Sequence, residues 1–581
     1  MHLSKITMKT LRAMKTGMLG MVALLLASAC TGYLERDIVT ELTEEDVIYS
    51  YDFARSRVSA VYNVLRAGFN EVDGALLASA GDEAEHTLET SAVHRFNTGD
   101  WDAVNTPDDV WAHYYRGIRI ANQFLAKSDH IDLDHLRLDP NPAQQETYQA
   151  LQEEITRWKH EVRFLRTFFF FELVKRYGGV PLVTTVYEVG DNPDPITRQP
   201  LADCLDFIVT ECDVVAEALP AVPASANLGR ATKGAALALK ARALLFAASD
   251  LYNDPSWAAG YAHPELVSLP AGDRSARWAA AAAAAKAVID LNEANYALHG
   301  DYQSLFRTFT SAEIIFARRA GASNAFERAT FPVGYDMGQS GTTPSQNLVD
   351  AYEVKIDENT AVAFDWNNPE HASNPYANRD PRLAMSVLYN FSWFKGRPVE
   401  LWQGGLDGRP QERASRTGYY LLKYVDPNVN LLTGTTSVHT WIFMRLAEVY
   451  LNYAEALNEY DPAHPDIKRY VDMVRSRSGV DMPPLPDGLS QADMRDRIRG
   501  ERQVELAFEG HRLWDVRRWM IAPATLGGAL YGVSVGKEGD ETFSYQRVQV
   551  EQRAFSPKMY FYPIPQQELL KVSGLIQNPL W

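Results

Sequence analysis

The sequence predicts a mainly α-helical protein: a scaffold of tetratricopeptide-like helix pairs carrying a loop-rich central module with a few short strands. Three observations predict it. Long segments place apolar residues at helical spacing, as Phe53, Val58, Val61 and Leu65 do. Several of these segments set small residues three or four apart between large ones. Ala231, Ala235, Ala238 and Ala241 are one case, and Ala447, Ala454 and Ala456 beside Tyr450 and Leu457 are another. Such alternation lets paired helices approach closely, although no strict repeat period is present. Residues 300–438 then change character, being rich in Gly, Pro, Asn and aromatics.

Taken in order, helices are expected over 43–67, 108–127, 144–177, 201–218, 231–251, 275–292, 439–460, 466–477, 491–510 and 566–572. The third ends at Gly178-Gly179-Val180-Pro181, because glycine tolerates a left-handed cap and proline cannot continue a helix. The seven alanines Ala279 to Ala285, flanked by Trp278 and Val288-Ile289, suit one helix lying very close to another. Ser490 with Asp493 is an N-cap pair. Short strands are expected at Glu313 to Arg318 and Tyr419 to Tyr424. The organisation that follows is a helical scaffold over 43–299 with an irregular loop at 68–106, the loop-rich module at 300–438, and a C-terminal helical part, 439–581, packing on the same scaffold. A long irregular segment inside a helical protein is often functional.

The first 29 residues read as an export signal. Lys5, Lys9, Arg12 and Lys15 precede an apolar run from Met18 to Ala27, too short to span a bilayer. Ala27-Ser28-Ala29-Cys30 resembles a bacterial lipobox, with Ala27 where Leu is commoner. Cys30 is therefore the expected acylated N-terminus, with 30–42 a polar tether. Removing the four basic residues of the signal makes the net charge −21 rather than −17. A body this acidic repels phosphate backbones, so nucleic acid is not an expected partner. Cys204 and Cys212 lie eight apart on an expected helix, about 12 Å by helical rise and too far to bridge.

Catalytic motifs are incomplete wherever they begin. His160-Glu161 opens like a zinc-protease helix, but position 164 is Phe. Gly338-Gln339-Ser340-Gly341 starts like a nucleophile elbow, but position 342 is Thr. Gly536-Lys537 lacks the Ser or Thr of a phosphate loop. No His/Cys group has metal-ligand spacing, and no cofactor is expected. Asp82, Glu83 and Glu85 form a carboxylate cluster, and glycosidases flank the scissile bond with two carboxylates. Acidic residues this close in sequence are commoner as a solvated loop or as acceptors for sugar hydroxyls.

Longer motifs carry a family resemblance. Trp111 to Leu125 contains W-x-x-Y-Y-x-x-I-x-x-A-N-x-F-L, and Glu161 to Leu182 reads EVRFLRTFFFFELVKRYGGVPL. Gly229 to Ser249 (GRATKGAALALKARALLFAAS), Asn374 to Arg382 (NPYANRDPR) and the T-G-Y-Y at Thr417 follow. Arg445 to Glu459 contains RLAEVYLNYAEALNE, and Glu501 to Trp519 is ERQVELAFEGHRLWDVRRW. The chain closes with Pro563-Ile564-Pro565 and Gln577-Asn578-Pro579. In this order the segments resemble the SusD/RagB family of outer-membrane lipoproteins. The resemblance implies a SusD-like α-helical fold, display at the outer membrane, no catalysis, and partnership with a TonB-dependent SusC-like transporter. It implies an oligosaccharide as cargo, or a peptide for RagB-like members. A surface glycan-degrading enzyme is the competing reading from another class.

A sugar site needs flat aromatics for C–H faces and polar side chains for hydroxyls. Within 68–106 the candidates are Asp82, Glu83, His86, Arg95, Trp101 and Asn105. Some family members place a loop Trp and a nearby Asn ahead of the W-x-x-Y-Y helix as sugar contacts, which points first to Trp101 and Asn105. The bland alternative for Trp101 is packing of the loop onto the helix behind it. The central module offers a second wall in Tyr335, Asp336, Trp366, Trp393 and Trp402, with Trp366 set among Asp365, Asn367 and Asn368.

Overall fold

The computed structural model describes residues 48–187, 190–192 and 196–581. The expected signal, Cys30 and the tether at 30–42 lie outside these residues. The scaffold opens with α1 (Tyr51–Tyr62), capped by the Ser50 hydroxyl, which accepts from the Phe53 N–H. It continues through α2 (Trp111–Lys127), α3 (Pro142–Tyr177), α4 (Leu201–Ala218), α5 (Lys233–Ala248) and α6 (Arg274–Ile289). After the central module come α7 (Leu446–Tyr460), α8 (Asp466–Arg475), α9 (Gln491–Glu505) and α10 (Arg512–Arg518). Neighbours along the chain pack on one another from α3 to α6, and α6 packs on α7, so the array continues across the inserted module. Ala281, Ala282, Ala284 and Ala285 are buried in that contact and keep α6 close to its neighbours. The fold is mainly α, as the SusD-like pattern implies. Cys204 and Cys212 are both buried and free, and burial pushes the Cys204 thiol up to about 12.

The long helix α3 starts on Asn141, whose side chain accepts from the Ala143 N–H, with Pro142 in the first turn. It ends where Gly178 takes φ 75°. Arg198 then clasps that end. Its guanidinium donates to the carbonyls of Tyr177 and Gly179, to the Ile576 carbonyl and to Asn578 Oδ1, at 2.7–2.8 Å. The C-terminal Gln-Asn-Pro motif is thereby tied to the centre of the scaffold.

Strands occur as two-stranded pieces. β1 (Ala84–His86) pairs antiparallel with β3 (Thr342–Pro344), which fastens the 68–106 loop to the central module. β2 (Ile314–Arg319) pairs antiparallel with β4 (Thr440–Arg445). The expected helix 439–460 is therefore a strand until Arg445; Thr440, Trp441, Ile442 and Phe443 favour a half-buried strand over a helix turn. The expected strand at Tyr419 to Tyr424 shrinks to Tyr420–Leu421. An unexpected long hairpin, β5 (Ala529–Gly539) with β6 (Thr542–Gln552), leans on the module.

A second hydrophobic core, separate from that of the scaffold, joins the module to its surroundings. It holds Tyr302, Phe326, Tyr352 and Tyr419 of the module, Leu76 and Ala84 of the loop, Phe508, and Val533 and Val535 of the hairpin. Beside it runs a buried ionic joint. Arg445 pairs with Glu313, Glu505 and Glu509 at 2.6–2.8 Å, Arg477 with Glu313 and Glu505, and Arg382 with Asp380, Glu501 and Glu505. Lys423 reaches Glu509 at 2.7 Å. Three of the motif segments met in the sequence, Asn374 to Arg382, Arg445 to Glu459 and Glu501 to Trp519, converge here.

Candidate ligand-binding surface

The 68–106 loop folds inward. Trp101 is only 2% exposed; its ring lies 5.0 Å from Phe96, 5.2 Å from Tyr562 and 4.7 Å from Trp581. The loop is stitched to the C-terminal segment by Ala554 N–H to the Asn97 carbonyl and Gln566 N–H to the Ala103 carbonyl. Gly99 permits this approach, because a Cβ there would sit 2.7 Å from Met559 Cε, at φ +76°. Trp101 therefore has no free face for a sugar, contrary to the sequence expectation. Two of its three ring partners, Tyr562 and Trp581, come from more than 450 positions away.

The carboxylates of the loop are also spoken for. Asp82 accepts two hydrogen bonds from Arg512, at 2.9 and 2.8 Å. Glu83 is buried and accepts from the Phe508 N–H at 3.2 Å; burial, then the nearby Asp82 charge, pushes its carboxyl up to about 8. Glu85 accepts from Arg416 and from the Thr343 hydroxyl. His86 is buried, and burial together with His94 brings its ring down to about 4. Neither a solvated hydroxyl-binding loop nor an open carboxylate pair fits Asp82, Glu83 or His86. Arg95 is exposed and donates to the Asn105 carbonyl at 3.4 Å, while Asn105 Oδ1 accepts from the Asp102 N–H at 2.8 Å.

The central wall divides. Tyr335 is 5% exposed beneath the Arg397 guanidinium, which stands 3.6 Å from its ring centre, so it is not a free platform. Asp336 lies 3.4 Å from Lys395 and accepts from the Leu431 N–H. Trp366 is half-buried, and its indole N–H donates to Asp350 at 3.1 Å. Trp393 stands out at 72% exposure, on a tight turn of Trp393–Phe394 against Arg397–Pro398, with Phe391 40% exposed beside it in the chain.

The hairpin β5–β6 completes this wall. Side chains alternate along a strand, so Phe543, Tyr545 and Arg547 share one face. Phe543 stacks on Trp402 at 5.2 Å and meets Phe391 at 5.4 Å. Tyr545 meets the edge of Tyr376 at 5.3 Å, and Tyr376 stacks on Tyr389 at 4.3 Å. Arg547 covers Tyr531 at 3.5 Å and lies 3.5 Å from Asp350, the acceptor of Trp366. Lys537 stands 4.7 Å above Trp402. The result is a seam of aromatic rings with charged groups along its margin, ending in the exposed Phe391, two residues along the chain from the exposed Trp393. Flat rings with polar neighbours match the two-sided chemistry of sugars. The hairpin half of the seam was readable as a period-two alternation of Phe543 and Tyr545 with Ser544 and Gln546, after the Gly539-Asp540-Glu541 turn.

Two family models match the chain. One, described as the SusD family, covers residues 312–581; the other, described as starch-binding associating with outer membrane, covers 63–245. In both of these segments the chain is SusD-like. A SusD-like protein of Formosa agariphila is 26% identical over 86% of this chain and 85% of its own length. Among solved structures, a SusD-like protein of Bacteroides fragilis superposes with a TM-score of 0.75 at 27% identity, over 93% of this chain and 98% of that one. A SusD-like carbohydrate-binding protein of the same species gives 0.73 at 25% identity, over 91% and 100%. The motif segments shared with the SusD family thus mark its ionic joint and helix contacts, whereas the aromatic seam lies outside them, apart from Tyr376 in Asn374 to Arg382.

Proposed function

We propose that this SusD-like protein is a non-catalytic receptor that captures an oligosaccharide on the aromatic seam and delivers it to a TonB-dependent SusC-like transporter. In this reading it is held at the outer membrane by an acylated Cys30. The observation that carries it is the seam itself: exposed Phe391 in ring contact with Phe543 and through it with Trp402, and exposed Trp393 two residues along the chain, in a chain whose relative of matching fold is a carbohydrate-binding protein. Buried Asp82 and Glu83, the first of them held by Arg512, argue against the glycan-degrading alternative. Arg95, Asn105, Asp336 and Trp366 remain accessible polar or aromatic groups for secondary contacts.

The test is retardation of the purified body in gels containing a panel of soluble polysaccharides, followed by calorimetry with fragments of any that bind. Retardation by one or more glycans, without turnover, is the expected result. Retardation by none, with capture of peptides instead, would replace the cargo by the RagB-like class. Reducing ends released from a bound glycan would overturn the non-catalytic reading.

A further inference from the structure

A polar cleft of about 460 Å³ opens on the scaffold at the junction of five helices. The end of α5 gives Ser249 and Asp250, and the first turns of α6 give Arg274, Ser275 and Trp278. Glu455 and Glu459 come from α7, Arg495 and Arg499 from α9, and Trp519 follows α10. None of these residues belongs to the aromatic seam.

By formal charge the lining balances, three acids against three arginines, but the pairing leaves one arginine out. Asp250 is taken by Arg274 at 2.8 Å. Glu459 is held in a fork by Arg495, at 2.5 and 2.7 Å. Glu455 is held in a fork by Arg518 from behind the cleft, at 2.5 and 2.7 Å, and also accepts from the Trp519 indole N–H. Each lining acid thus has its own arginine. Arg499 is left over: its guanidinium has no hydrogen bond or ion pair with the described residues, and it is held only against the Trp519 ring, at 4.7 Å. Its Nε is buried without an acceptor. Burial lowers its pKa and outweighs the opposing pull of the nearby Glu455 and Asp250. An unpaired, partly desolvated arginine is costly in a fold that pairs nearly every other buried cation.

We propose that this cleft is a second binding site, which takes a small hydroxylated carboxylic acid with its carboxylate on Arg499. A planar guanidinium fixed by an aromatic ring suits a planar carboxylate. One guanidinium free to pair, among three carboxylates that already hold arginines, matches a monoanion and disfavours a dianionic phosphate. The walls are the ion pairs, Ser249 and Ser275, and the rings of Trp278 and Trp519, a mix of polar groups and flat faces that suits a hydroxylated ring, and the volume falls in the range of small-molecule pockets.

The experiment is calorimetry or ligand-observed NMR with sodium glucuronate on the described body, with glucose and inorganic phosphate as parallel probes. Glucuronate binds, glucose and phosphate bind at least tenfold more weakly, and binding weakens with salt. Arg499→Gln reduces glucuronate affinity by tenfold or more while leaving the melting temperature nearly unchanged, because no hydrogen bond or ion pair is lost and only the contact with the Trp519 ring is weakened. Ser275→Trp, at an exposed position at the cleft mouth, blocks the same binding without touching the cation. Trp393→Ala leaves it intact, which separates this site from the seam. Absence of glucuronate binding to the wild type, or equal binding by Arg499→Gln and Ser275→Trp, overturns the proposal. Preference for phosphate overturns the carboxylate assignment.

Discussion

Arg445 and Glu505 form a fully buried ion pair, Nη1 to Oε1 at 2.6 Å, where the central module meets the helical scaffold. Glu505 also receives Arg477 and Arg382, so one carboxylate holds three cations from three segments of the chain. Burial acts to raise its pKa, but Arg477, Arg445 and Arg382 outweigh it and hold the group far below the usual carboxylate range. Removing one partner of a buried pair leaves an uncompensated charge, at a cost of about 3–5 kcal/mol. Glu505→Gln is therefore expected to lose that much stability in chemical denaturation, with the module loosening first in hydrogen exchange. A loss below about 1 kcal/mol would show that the remaining acids carry the joint without it.

Glu83 titrates in the opposite sense. Its folded-state carboxyl lies at about 8, against 4.5 for the free side chain. A group whose pKa is raised on folding contributes stability that is complete below its unfolded pKa and is lost as pH rises through the folded one. Stability should therefore decline between about pH 4.5 and pH 8, an alkaline slope in the melting temperature. Glu83→Gln keeps an acceptor for the Phe508 N–H and cannot ionise, so it should flatten the slope. An unchanged slope in the variant would mean that another group is responsible.

Most of the scaffold could be read from the sequence because helices obey local rules. The stop at Gly178 and the alanine run of α6 are visible within a few residues of the chain. The site was harder because its decisive contacts are non-local. Trp101 looked partnerless from its neighbours in sequence, yet Tyr562 and Trp581 cover it. Trp393 sat in the candidate wall, but Phe543 did not, because the hairpin that supplies it was not recognised. The paired fate of Asp82 depends on Arg512, 430 positions further along the chain.

Trp101→Ala separates packing from binding. The ring is enclosed by Phe96, Tyr562 and Trp581, and truncating a buried Trp costs about 3–5 kcal/mol. The variant should melt earlier and, while folded, bind glycan as the wild type does. Loss of binding at unchanged melting temperature would return Trp101 to the ligand site.

Cys30→Ala tests the anchor. Several buried acyl chains hold a protein stably, at about 0.8 kcal/mol per CH2, whereas one chain gives marginal binding. The variant should leave the membrane fraction and take up no lipid label in producing cells. Retention with continued labelling would refute acylation at Cys30.

The seam makes the sharpest demand. Trp393 is 72% exposed, so its removal should cost the fold little, whereas a central aromatic anchor costs about 2 kcal/mol or more of binding when truncated. That is roughly thirtyfold in affinity. Trp393→Ala is therefore expected to weaken the cognate glycan about thirtyfold at an unchanged melting temperature. Trp402→Ala removes a ring stacked on Phe543 and flanked by Lys537, so it should weaken binding and also loosen the hairpin. The contrast matters: a ring used only for packing loses stability and keeps affinity, as argued for Trp101, while a ring at the open end of the seam does the reverse. Calorimetry beside a thermal melt of each variant reads both quantities. Full affinity in Trp393→Ala together with full affinity in folded Trp402→Ala would remove the seam as the glycan surface. Attention would then move to the half-buried Trp366, where Asp350 and Arg547 already place hydrogen-bonding groups beside a ring.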